Sequence, residues 1–217
     1  MERTVNPMST NSTQRKSFFR GPAVVLFVVV LAGVFVTGAG EMPDRLKVHE
    51  MGGDIDYADV PDGGDLTTMG GNIHVGKVHN DISLTTMGGS ISIDSADASV
   101  KATSMGGKIE ATLVKGQTSG SHDITLSSMA GDIVLTVPKD YPMTIDVTLA
   151  YTKNSDKSYK IIDSLGLEQS GSKEWDNGHG TPRKYLYAKG QIGNGQNHVT
   201  IKTINGDVII KGERSQL

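Results

Sequence analysis

The chain has 217 residues, a formal net charge of -3 and no cysteine. The missing cysteine excludes disulfides, thiolate metal centres and lipid attachment through an N-terminal cysteine. The mildly acidic balance, with no basic patch against it, gives no electrostatic attraction to nucleic acid.

The first charges are Glu2, Arg3, Arg15, Lys16 and Arg20, so the segment ahead of the first apolar run is net positive. An uncharged stretch follows from Gly21 to Gly40, and its core, Ala23 to Val36, is 14 residues of Ala, Val, Leu, Phe and one Gly. That length suits the apolar region of a secretory signal, whereas a membrane span needs about 20 apolar residues. Thr37, Gly38, Ala39 and Gly40 supply the small residues of a cleavage site. Residues 1–40 are expected to be a signal peptide, with an uncleaved signal anchor and a buried strand as the alternatives. Arg15-Lys16 differs from a twin-arginine signal in its second residue, and Met8 offers a later start. About 175 residues remain after this leader, one ordinary domain, which without disulfides must be held by its core alone.

From residue 41 the chain is expected to be one β-solenoid domain. Thr-Thr-Met-Gly-Gly stands at 67–71 and again at 85–89, with copies at Glu50–Gly53 and Ser104–Gly107 and looser ones at Ser128–Gly131 and Thr203–Gly206. Met51, Met69, Met87 and Met105 are spaced by 18 residues, a period that marks a repeat architecture. Three and five positions before the methionine come apolar pairs such as Leu84 and Ile82, Leu126 and Ile124, Ile201 and Val199; the second copy is weak, with Leu66 but Gly64. Four and six positions after it come Ile55 and Tyr57, Ile73 and Val75, Ile91 and Ile93, Ile109 and Ala111, Ile133 and Leu135, Val208 and Ile210. Polar residues alternate with them, the pattern of a strand with one buried face. Each repeat therefore reads as strand, glycine bend, strand, loop. An 18-residue unit cannot bury its apolar face alone, so the copies must stack. Like columns then lie about 4.8 Å apart, Ile on Ile and Met on Met. The second glycine of each bend (Gly53, Gly71, Gly89, Gly107, Gly131, Gly206) admits no other residue, which predicts φ > 0 there.

The repeats run from Leu46 to Pro138, apart from six extra residues, Lys115 to Gly120, between the fourth and fifth copies. The period is then lost over 139–198, an expected non-repeat insert, and returns at Val199 to end at Lys211. Within the insert Met143, Ile145, Val147 and Leu149 alternate like a strand, Tyr159–Ile162 suggests another, and Ser164 to Pro182 reads as a long surface loop. All four phenylalanines lie in the leader, while Tyr141, Tyr151, Tyr159, Tyr185, Tyr187 and the sole Trp175 fall in the insert. Two readings stay open: the aromatics pack the insert onto the solenoid, or Trp175, Tyr185 and Tyr187 form a partner contact.

The phrases Thr-Met-Gly-Gly-Ser-Ile-Ser-Ile (86–93), Met-Ala-Gly-Asp-Ile-Val-Leu-Thr-Val-Pro (129–138) and Ile-Gly-Asn-Gly (192–195), followed by Thr-Ile-Asn-Gly-Asp-Val-Ile-Ile (203–210), resemble a bacterial β-strand-repeat domain family of unknown function described as adhesin-like. The resemblance spans about Leu46 to Gly212. It implies an exported solenoid, commonly a right-handed parallel β-helix, and it transfers no catalytic residue. The chain departs from the family in using Met-Gly-Gly where Val-Ser-Gly is usual.

The repeats also admit chemical readings. A column of methionines offers stacked thioethers to Cu(I), but Ile204 ends the column and methionine commonly fills gaps in cores, so packing is the preferred reading. The column Asp54, Asn72, Ser90, Lys108 does not repeat the aspartate a calcium solenoid needs. Asp54, Asp56, Asp59, Asp62 and Asp65 form an acidic run near the first coil, read as a solvated terminus that discourages end-to-end stacking. His49, His74, His79, His122, His179 and His198 show no ligand spacing. We therefore expect no enzyme, no cofactor and no metal. The expectation is an adhesin-like binding module of the cell envelope, in the periplasm or at the surface, engaging a protein or glycan and touching the membrane only through residues 21–40 where these stay uncleaved. A structural or self-assembling envelope scaffold is the alternative.

Overall fold

The computed structural model describes residues 45–115, 120–155, 157–178 and 180–213. The expected leader and four residues of the extra loop, 116–119, lie outside them. The described residues form sixteen strands and no helix: β1 (Leu46–Glu50), β2 (Ile55–Val60), β3 (Gly64–Thr68), β4 (Ile73–Val78), β5 (Ile82–Thr86), β6 (Ile91–Ala96), β7 (Val100–Ser104), β8 (Ile109–Leu113), β9 (Asp123–Ser128), β10 (Ile133–Pro138), β11 (Met143–Thr152), β12 (Ile161–Asp163), β13 (Glu168–Gly171), β14 (Arg183–Ile192), β15 (Asn197–Ile204) and β16 (Val208–Glu213). They build a nine-stranded sheet in the order β1-β3-β5-β7-β9-β15-β11-β14-β13 and a seven-stranded sheet in the order β12-β16-β10-β8-β6-β4-β2. All pairings are parallel except those of β14 with β11 and with β13. Each repeat gives one strand to each sheet, which makes the protein all-β and β-solenoid-like.

Like columns stack as the period requires. Leu66 lies opposite Leu84, Leu84 opposite Ala102, Ile73 opposite Ile91 and Ile91 opposite Ile109. The inward residues of both sheets form one buried cluster, including Ile73, Leu84, Ile93, Ile124, Leu126 and Leu135. Each such side chain contributes about 1.5–3 kcal/mol relative to exposure. Leu46, Val48 and Tyr57 are only partly buried, because β1 and β2 are edge strands with a coil on one side.

A further inward column was not recognised from the sequence. Thr68, Thr86, Ser104, Ser128 and Thr203, each directly before the methionine position, are all buried. Their hydroxyls donate to the glycine carbonyl of the preceding coil: Thr68 to Gly53 at 2.9 Å, Thr86 to Gly71 at 2.8 Å, Ser104 to Gly89 at 2.9 Å and Ser128 to Gly107 at 3.2 Å. The same oxygens accept the amides of Gly71, Gly89, Gly107 and Gly131 within their own bends. A buried hydroxyl that both donates and accepts carries no unmet polar demand.

The glycine at each bend is explained differently from the expectation. Gly53, Gly71, Gly89, Gly107, Gly131 and Gly206 do not have positive φ; among the described residues the glycines that do are Gly63, Gly166, Gly180, Gly193 and Gly195. A Cβ on Gly71, Gly89, Gly107, Gly131 or Gly206 would instead be driven into the carbonyl of the bend glycine one coil earlier. Close stacking of backbones, not handedness of the residue, excludes every side chain there. Gly53 has no coil before it among the described residues, and its Cβ would meet only Glu50 Oε2 at 3.9 Å.

The expected insert is structured and belongs to the stack. β11 pairs with β15 and β12 with β16, so 143–163 forms a seventh coil. The returning repeat, β15 and β16, lies between the fifth coil, β9 and β10, and this seventh coil. The chain thus passes one coil position, builds the next, and comes back to fill the gap. The predicted surface loop 164–182 also contains β13 and Asp176, which makes an isolated bridge to Arg183 at the start of β14. Its Ser, Gly and charged residues hid this, because an edge strand with both faces exposed has no apolar alternation to detect.

Candidate functional site

Three features of the surface are positioned by this stack. The first is the far end of the nine-stranded sheet, where β14 and β13 close the solenoid. β14 runs antiparallel to β11, with Ala150 opposite Tyr185, Tyr151 opposite Lys184 and Thr148 opposite Tyr187. Alternation along β14 sends Tyr185, Tyr187 and Lys189 to one face and Lys184, Leu186 and Ala188 to the other. Ala188 is fully buried and Leu186 packs against the core, so the tyrosine face is the outer one.

The predicted trio is accordingly divided. Tyr185 and Tyr187 stack with ring centroids 6.1 Å apart and planes at 13°. The Tyr185 hydroxyl donates to Asp176 Oδ2 at 3.1 Å, and burial, then that bond and charge, hold its phenol above the usual range. Lys189 continues the same face, paired with Asp146 at 2.7 Å, a contact that raises the lysine. Trp175 instead meets Tyr151 edge-on at 5.8 Å, with the Lys184 ammonium 5.2 Å from its ring centre. Tyr151 and Lys184 share the inward parity of their strands, so Trp175 covers the rim of the core. Tyr141 is core outright, and burial together with the nearby Asp97 pushes its phenol up to about 12. Packing and exposure therefore both occur among these aromatics: parity along β14 turns Tyr185 and Tyr187 outward, whereas Trp175 and Tyr141 pack.

The second feature is the acidic run of the first coil. Asp54 Oδ1 accepts the Asn72 amide at 2.6 Å, and Asn72 Oδ1 accepts that of Ser90 at 2.9 Å, a ladder of side chains capping successive bends. Asp56 and Asp94 flank His74 at 3.0 and 3.1 Å, tying three adjacent coils. These bonds, Asp56 first, raise the imidazole above its ordinary value. His79 lies 3.4 Å from Asp59. Two of the aspartates, Asp56 and Asp59, thus hold histidines that lie about one period further along the chain, a pairing that composition and local spacing do not reveal. Among the described residues no group of three or more His, Cys, Asp or Glu is arranged to hold a metal ion.

The third feature overturns an expectation. The methionine column is not a core filler: Met51, Met69, Met87, Met105 and Met129 are all exposed. Strand parity accounts for this, since the buried hydroxyl column immediately before them takes the inward direction.

The fold and its surface define an all-β, β-solenoid-like protein closed at one end by an antiparallel, aromatic-bearing hairpin. No protein-family model, no curated protein and no solved structure matches the chain.

Proposed function

We propose that the chain is an exported, non-catalytic β-solenoid protein of the cell envelope that acts as an adhesin-like binding module. In this reading residues 1–40 direct export, the solenoid winds right-handed as in the bacterial β-strand-repeat family it resembles, and the partner is a protein or glycan. The observation that carries it is the stacked Tyr185–Tyr187 pair on the outer face of β14. Stacked, half-exposed rings give a flat apolar platform at little cost in side-chain entropy. Thr148 and Ser170, which lie opposite Tyr187, and the Asp146–Lys189 pair border it with hydrogen-bonding groups. A platform ringed by polar groups suits the faces of sugars and the side chains of proteins alike.

The test is a glycan and protein array probed with the mature chain and with Tyr185→Ala/Tyr187→Ala. Binding to a restricted set of ligands, lost in the double variant, is expected. Equal binding by both would remove the platform from the account.

A second reading, the self-assembling scaffold, is favoured by the edge strands β1 and β2, which end both sheets at the opposite pole. Unpaired strand edges are templates for association. Particle length that grows with concentration supports the scaffold, and a small, constant size supports the binding module.

A further inference from the structure

We propose that the methionine ladder is a binding site for a soft monovalent cation, Cu(I), held by thioethers alone. Six large hydrophobic residues are exposed among those described, and five of them are this one column: Met51 at 82%, Met69 at 49%, Met87 at 47%, Met105 at 44% and Met129 at 52%. The sixth, Ile162, is elsewhere in the seventh coil. A column at the solvent face needs no apolar side chain for packing, so core filling does not explain the choice of methionine.

The ladder is in register. The amides of Met69, Met87, Met105 and Met129 donate to the carbonyls of Glu50, Thr68, Thr86 and Ser104, one coil back, at 3.1–3.3 Å. Successive methionines are therefore about one strand spacing, ~4.8 Å, apart. Met51, with a coil on one side only, is far more exposed than Met69, Met87 and Met105, so the inner side chains cover one another along the ladder. With three rotatable bonds each, three consecutive thioethers can turn their sulfurs onto one ion without moving the backbone. Met69, Met87 and Met105 are the central three. Ile204 and Ala150 follow Met129 in the stack, so the sulfur block is continuous over the first five coils and stops at the sixth.

The donor set selects the ion. Thioethers are neutral and soft, which favours Cu(I) over hard or divalent ions. The chain has no cysteine, so no thiolate competes. A thioether does not titrate, whereas imidazole must lose its proton to bind. Affinity at the ladder is therefore independent of pH across the range in which histidine sites weaken.

The experiment titrates the mature chain with Ag(I), the redox-inert probe, and with Cu(I) against a chromogenic chelator under anaerobic conditions, reading the methionine methyl resonances. Saturable binding is expected, flat between about pH 5 and 8, with shifts at Met69, Met87 and Met105 and none at the buried Met143. Met69→Leu/Met87→Leu/Met105→Leu, at an outward face, keeps the strand signal in circular dichroism. It loses more affinity than the ~10–100-fold typical of removing outer-shell partners. Absence of saturable binding, shifts confined to other residues, undiminished affinity in the triple variant, or a loss of affinity in acid that follows histidine protonation each overturn the proposal. If the triple variant fails to fold, the methyl shifts and pH profile of the unaltered chain decide alone.

Discussion

The hydroxyl of Thr86 donates to the carbonyl of Gly71 at 2.8 Å, across the step from one coil to the next. It also accepts the Gly89 amide of its own bend at 3.1 Å, so one oxygen stitches two coils and closes a turn. Thr86→Val keeps the shape and leaves the Gly71 carbonyl and Gly89 amide buried without this partner. We expect a loss of about 2 kcal/mol, within the range for a buried unsatisfied group. Thr86→Ser is expected to be mild, because Ser104 and Ser128 fill the same column. Denaturant unfolding of the two variants measures the difference.

Gly89→Ala is expected to cost about 3 kcal/mol, at the upper end for overpacking, since the new methyl meets backbone that cannot turn aside. Gly53→Ala is expected to lie within about 0.5 kcal/mol of the parent, as for a surface change, because no coil precedes it among the described residues. Gly88→Ala adds a Cβ in ordinary contact, 3.6 Å from the Gly70 carbonyl, and is likewise mild. Equal melting temperatures for Gly53→Ala and Gly89→Ala would show that coil stacking is not what excludes side chains.

The period and the apolar columns were legible because burial and 18-residue stacking act on every copy alike. Two things were not. Thr86 and Ser104 are polar, so a reading based on hydrophobic alternation passed over an inward column whose oxygens are satisfied within the bend. The place of β15 between β9 and β11 left no local trace, since a strand's sequence records which face is buried and not which neighbour it meets. The tyrosine platform was half legible: composition located the aromatics, but separating Trp175 from Tyr185 and Tyr187 required the register of β14 on β11.

His74 and Asp163 give pH dependences of opposite sign. His74 is raised by Asp56 and Asp94, so its contribution is full below its unfolded value of about 6.5 and is lost as pH rises through the folded value. Asp163 is pushed up by burial but brought down overall by bonds from Leu167, Gln169, Gly166 and Leu165. Its contribution is present above about 3.9 and lost as pH falls through the folded value. His74→Gln is expected to flatten the melting temperature as pH rises above about 6.5, and Asp163→Asn to flatten its acid limb. Unchanged profiles would remove both assignments.

Trp175→Ala is expected to destabilise by about 1–3 kcal/mol, since it uncovers Tyr151 at the rim of the core and leaves Lys184 without its ring. Tyr185→Ala/Tyr187→Ala is expected to leave folding nearly intact and to weaken a partner by at least ~2 kcal/mol, the scale of an interface hot spot. Thermal melts and binding curves on both variants separate the roles; the reverse pattern would exchange them.

The tyrosine face of β14 depends on the returning repeat standing between the fifth and seventh coils, and cross-linking tests that directly. Thr200 lies opposite Thr125 on one side and opposite Asp146 on the other, with all three outside the core. Thr125 and Asp146 are then two strand spacings apart, about 9.6 Å, beyond the ~7 Å reach of a disulfide. The chain has no cysteine of its own, so an introduced pair reports without interference. Thr125→Cys/Thr200→Cys and Asp146→Cys/Thr200→Cys are expected to oxidise within the monomer, and Thr125→Cys/Asp146→Cys to remain reduced. Ready oxidation of the Thr125→Cys/Asp146→Cys pair, with Thr125→Cys/Thr200→Cys remaining reduced, would mean that the coils stack in sequence order and that β15 ends the solenoid.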